Sequence, residues 1–191
     1  MSKQLNLFDS KDPIRPSTKE FGLDKKALLA WKERIFKYQQ HVRNKPIPQQ
    51  NQLFSLNAAY GSSDDIDPFS LKLHTSLFYR MPEPQSLVEG IDTGCIYFII
   101  DHTLPVLLYV GETKLTATKR WKGTHYAKQY ILNYIELHRK SKLDVAVVSA
   151  FWHKIPPNKK MLLNWEKELI VKWRSPFNKE SWQFYGQPFG K

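Results

Sequence analysis

The chain has a single cysteine, Cys95, so it has neither an internal disulfide nor a thiolate metal cluster, in keeping with a reducing compartment. Within an apolar run, that thiol is a small buried side chain. No uninterrupted apolar stretch approaches membrane-spanning length, and the start Met1-Ser2-Lys3-Gln4 lacks the apolar core of a signal peptide. The expectation is a cytoplasmic, nucleoid-associated protein with no membrane partner. Internal repeats are missing as well, and neither residues 1–86 nor 181–191 show a zinc-finger pattern or another DNA-binding signature. Acidic residues are scarce in one half only. Residues 1–92 carry 13 Lys/Arg against 11 Asp/Glu, whereas residues 93–191 carry 16 against 7. A polyanion site therefore belongs in the second half, and the overall +11 makes nucleic acid the expected partner.

With 41% hydrophobic residues and six Trp in 191, the chain has material for one ordinary core plus an extension, but not for two large domains. Leu28, Trp31, Ile35 and Tyr38 recur at helical spacing, predicting a helix over about 24–41 that Pro46 and Pro48 end. A linker follows over 44–68, and the alternation of Phe69, Leu71 and Leu73 suggests a short strand or an extended arm. Residues 95–100 and 106–110 read as a hairpin, 126–138 as an amphipathic helix, 145–152 as a third strand and 158–174 as a last helix stopped by Pro176. This is an α+β pattern of three antiparallel strands flanked by helices over 87–180. Residues 1–86 form a mainly helical or extended N-terminal extension, and 181–191 a tail.

Glu166 is the most informative residue of the last helix. At about 100° per residue it falls among Leu162, Leu163, Trp165, Leu169, Ile170 and Trp173, while Glu168 points away. A carboxylate facing a core needs a cation or hydrogen bonds to offset a cost of several kcal/mol. On geometry alone, an ion pair with Arg120 or a lysine, a snorkelling stem and a metal ligand all remain open.

The order Gly94-Cys95-Ile96-Tyr97, Leu108-Tyr109-Val110-Gly111, Arg120, Glu166-Lys167-Glu168-Leu169-Ile170 and Pro176-Phe177-Asn178 resembles the GIY-YIG nuclease family, and small uncharacterised bacterial proteins within it. The resemblance implies a three-stranded sheet with helices. It also implies a metal-dependent endonuclease acting on double-stranded or branched DNA in repair, restriction or mobile-element processing. Glu166 falls on the family's metal-binding position, which tips it toward holding one Mg²⁺ or Mn²⁺. Arg120 would clamp the scissile phosphate, and Tyr97 or His125 would take a proton from the attacking water. Tyr109 would orient water or phosphate, and Asn178 would hold the site's hydrogen-bond geometry. Lys114, Lys119, Arg120, Lys122 and Lys128 supply the basic surface for nucleic acid.

Three departures stand out. An extra residue separates Gly94 from Ile96-Tyr97. His125 lies five residues after Arg120, with Thr124 at the more usual fourth. Glu112 stands where relatives carry Lys or Ser, with Lys114 expected to offset it. A non-catalytic nucleic-acid binder on the same scaffold is the alternative reading. A third follows from Gln4-Leu5-Asn6-Leu7-Phe8, which resembles the peptide that docks repair proteins in the bacterial sliding clamp.

Overall fold

The computed structural model describes residues 24–45, 61–75, 94–114 and 126–189. Strands β1 (Cys95–Asp101) and β2 (Val106–Thr113) form the expected hairpin, and β3 (Val147–Trp152) adds to the other side of β1, giving an antiparallel sheet of order β2-β1-β3. Every residue of β1 is buried, because the central strand is covered on both faces. Cys95, Tyr97 and Ile99 face helices α1 (Lys25–Arg43) and α2 (Tyr126–Lys140), through Leu28, Ile35, Ile131 and Tyr134. The alternate residues Ile96, Phe98 and Ile100 face helix α3 (Lys159–Trp173), through Leu162, Trp165, Leu169 and Trp173. The period-2 side-chain alternation thus separates two cores, one on each side of the sheet.

Both sheet edges are covered. At β2, the Gln39 amide donates to the Leu107 carbonyl at 3.0 Å and accepts from its N–H at 2.8 Å. Asn178 does the same at Val110, with both bonds at 2.9 Å, and the Phe177 N–H donates to the Leu108 carbonyl. Two side-chain amides and one backbone group thus take the place of a fourth strand. At β3, His74 exchanges two backbone bonds with Ser149, so the arm after Phe69 meets the sheet at one bridge; Phe69 itself lies in a 3-10 turn (Pro68–Ser70).

The N-terminal helix belongs to the same packed body. Leu28 and Ile35 are fully buried, and the Lys32 ammonium meets the Asp101 carboxylate at 2.6 Å beneath them. Burial alone would raise the Asp101 carboxyl. Hydrogen bonds from Lys32 and Tyr134 and the Lys32 charge outweigh it and hold the group below its usual range. The end of the chain is also packed: Trp182–Tyr185 forms a one-turn helix, α4, and Phe189 is buried against Trp31, Tyr134 and Phe177. Among the described residues, no helix is long and apolar enough to cross a membrane. The peptide at 4–8, most of the 44–68 linker, and Lys119, Arg120, Lys122 and His125 lie outside the described residues.

Candidate active site at the end of the hairpin

Helix α3 starts where Asn158 caps it, the side chain accepting from the Lys160 N–H at 2.8 Å. It ends at Arg174, whose left-handed φ of 47° turns the chain toward Pro176. Leu162, Trp165, Leu169, Ile170 and Trp173 are buried, and Glu166 lies within their arc. Leu163, assigned to the same arc, is 45% exposed because the buried face is narrower than the apolar pattern implies.

Glu166 is half-buried at the open end of the hairpin, where its carboxylate accepts from the Glu112 N–H at 3.2 Å. Burial, then the charge of Glu112, pushes its pKa up to about 7, against the opposing effects of that N–H and of Lys159. Glu112 pairs with Lys159 at the first turn of α3, not with Lys114. Lys114 donates to the Pro157 carbonyl at 2.7 Å, pinning the loop before α3. The carboxylate at residue 112 is therefore paired by the helix that carries Glu166, although its charge still acts on Glu166.

Of the hairpin's two tyrosines, Tyr109 lies within electrostatic reach of this carboxylate. Tyr97 is opposite Gly111 in the strand register, and its ring fills the space where any other residue at 111 would place a Cβ. Gly111 is thus required for the tyrosine's position, not for backbone freedom. Gly94 has a similar role: a Cβ there would lie 2.7 Å from the Thr113 carbonyl oxygen. The Tyr97 and Tyr109 rings are 6.1 Å apart. Tyr109 is 4% exposed. Burial, with the neighbouring Tyr97, Tyr126 and Glu166, raises its phenol far above the ordinary value, so it stays protonated. Its hydroxyl hydrogen-bonds to Tyr126 at the start of α2.

Tyr109 is thus near both Tyr97, by ring contact, and Glu166, by charge. Asn178 is adjacent, but both ends of its amide are engaged by Val110, and its oxygen also accepts from the Ser175 hydroxyl at 2.6 Å. It holds β2 in place through these bonds. Lys128, expected on the basic surface, is half-buried, and burial lowers its pKa.

Four neighbours escaped sequence reading: Tyr126, Lys159, Lys179 and Glu180. Lys179 has its ammonium 5.1 Å from the Tyr126 ring centre, and the Glu180 charge acts on both Tyr126 and Glu166. Lys159 could have been found, since seven residues before Glu166 is two helical turns on the same face.

No cluster of three or more potential metal-binding His, Cys, Asp or Glu occurs among the described residues. What Glu166 offers instead suits a hard divalent ion: a half-buried carboxylate whose proton affinity is raised by burial and by the second carboxylate beside it. In such a site the protein supplies one or two oxygens, and water and phosphate supply the rest.

Residues 93–181 match the family model for the GIY-YIG catalytic domain. No curated protein and no solved structure matches the chain. The domain is of nuclease type, which implies nucleic acid as a partner, and GIY-YIG nucleases generally use divalent metal ions. This segment, with its three-stranded antiparallel sheet and its helices, is a domain of the GIY-YIG nuclease superfamily.

Proposed function

We infer that the protein is a metal-dependent endonuclease that hydrolyses phosphodiester bonds in DNA. The observation that carries this reading is Glu166, a half-buried carboxylate of α3 that accepts from the Glu112 N–H and lies within electrostatic reach of the hairpin's Tyr109. Glu166 would hold a single Mg²⁺ or Mn²⁺, with Glu112 the nearest second carboxylate. When bound, such an ion supplies Lewis-acid stabilisation of phosphoryl charge and a more acidic water.

The chain's own residues do the rest. Tyr109, kept protonated by burial and hydrogen-bonded to Tyr126, orients water or phosphate. Lys159 adds positive charge from the first turn of α3. Arg120 clamps the scissile phosphate and His125 or Tyr97 accepts the proton, in the roles the family resemblance gives them. Asn178 acts as a positioning residue through Val110. The non-catalytic alternative rested partly on Glu112, and its pairing with Lys159 removes that support.

Supercoiled plasmid incubated with Mg²⁺ or Mn²⁺ tests the reading. Wild type should nick or linearise it, and Glu166→Ala should lower the rate by at least about a hundredfold while still binding DNA. Equal cleavage by both proteins would refute the assignment.

A further inference from the structure

Aromatic rings form a row leading away from the site. Tyr109 meets Tyr126 edge to face at 6.3 Å, Tyr126 meets Tyr130 at 5.8 Å, and Tyr130 meets Trp182 at 6.1 Å. Exposure is greatest at Tyr126, 37% against 4% at Tyr109, with Tyr130 and Trp182 partly buried. A surface tyrosine ordinarily buries its ring and turns its hydroxyl to water. Tyr126 instead bonds its hydroxyl inward to Tyr109 while the residue stays 37% exposed. Lys179 is set against that ring.

We propose that Tyr126 and Lys179 form a nucleotide subsite beside the scissile phosphate, and that it takes an unpaired base. The occupant follows from chemistry. Bases within a duplex have both faces stacked, whereas an unpaired base offers a free π face to a pinned aromatic ring. Lys179 supplies positive charge for the adjoining phosphate, and the neighbouring Glu180 carboxylate disfavours a phosphate on its own side. The ring is one contact from Tyr109, so the base it holds is a near neighbour of the cut. The substrates this favours are flaps, gaps or branch points, not uninterrupted duplex. The proposal rests on the nuclease reading, and the two can fail separately.

The test is fluorescence anisotropy of the full chain in EDTA, with a labelled single-stranded oligonucleotide and a blunt duplex of the same sequence. Tyr126→Ala should weaken single-strand binding about tenfold or more. It should leave duplex binding within about twofold, and Tyr126→Phe, which keeps the ring, should retain single-strand affinity. Lys179→Gln should weaken both ligands and reduce the salt dependence by about one phosphate contact. Tyr126→Leu keeps the bulk without a π face and decides the matter if Tyr126→Ala does not fold. Undiminished single-strand binding by the alanine and leucine variants, a parallel loss on duplex, or no single-strand binding by wild type each overturns the subsite. Because binding is read without metal, those results stand apart from whether cleavage depends on Glu166.

Discussion

At the scale of single residues, the site depends on two side chains in environments they would not choose alone. Tyr97 occupies the volume that Gly111 leaves empty, so Gly111→Ala sets a methyl group against a buried ring enclosed by the sheet. Overpacking of this kind should cost about 1–3 kcal/mol. It should also displace Tyr97, so cleavage falls even at temperatures where circular dichroism shows the variant fully folded. Full activity in a folded Gly111→Ala protein would mean that Tyr97 need not be held there.

Glu166 leads to a pH dependence. Its folded-state pKa of about 7 is above the ordinary 4.5, so the folded state binds the proton more tightly than the unfolded state. Its contribution to stability is therefore greatest below the ordinary value and falls as pH rises toward 7. The total loss is up to about 3 kcal/mol. In metal-free protein, Glu166→Gln should remove this slope in melting temperature between those limits. Mg²⁺ should raise the wild-type melting temperature more at pH 8 than at pH 6, because below pH 7 the ion must displace a proton, and it should leave Glu166→Gln unmoved. A wild-type slope that Glu166→Gln preserves would assign the titration to another group.

At the scale of elements, β2 is the strand on which the site depends, and amide side chains hold its outer edge. Asn178→Ala leaves the Val110 N–H and carbonyl without those partners, and Gln39→Ala does the same at Leu107. Each should cost about 1–3 kcal/mol in urea denaturation, since buried polar groups lose their bonds. A loss below about 0.5 kcal/mol would show that water replaces the amide there.

The same strand shows what the sequence made legible. The hairpin, the three long helices and the third strand could be read because apolar residues recur at periods of two or about 3.6, and Asn158 and Pro176 bracket α3. Lys32 and Gln39 could not. They lie on the apolar face of α1 between and beyond Leu28 and Ile35, but their partners, Thr103 and Leu107, are 71 and 68 residues away, beyond the reach of any periodicity. The Glu112–Lys159 pair was hidden for the same reason, whereas Glu166 was visible because charge in an apolar arc is a local signal.

At the scale of the whole molecule, the functional unit is larger than the segment that carries the family motifs. The matched residues 93–181 contain the sheet, α2 and α3, but not the helix that covers one end of the core or the amide that closes β2. Without α1, the sheet would expose the apolar surface that Leu28 and Ile35 bury, leave Asp101 without its cation and open the β2 edge to other chains. A protein starting at residue 93 should therefore show no cooperative thermal transition, or should aggregate, while the full chain melts cooperatively.

Lys32→Met separates loss of charge from loss of the whole helix. It keeps an unbranched apolar side chain under α1 but leaves Asp101 buried and unpaired with a cation, and should cost about 3–5 kcal/mol. Adding Asp101→Asn should recover much of that loss, since the charge needing compensation is gone while Tyr134 and Thr103 remain as hydrogen-bonding neighbours. If the truncated protein melts like the full chain, or if Lys32→Met is neutral, α1 is an accessory and the catalytic unit ends where the family match does. The buried Lys32–Asp101 pair and the Gln39 amide argue otherwise, because an accessory helix has no need to satisfy polar groups inside its host's core.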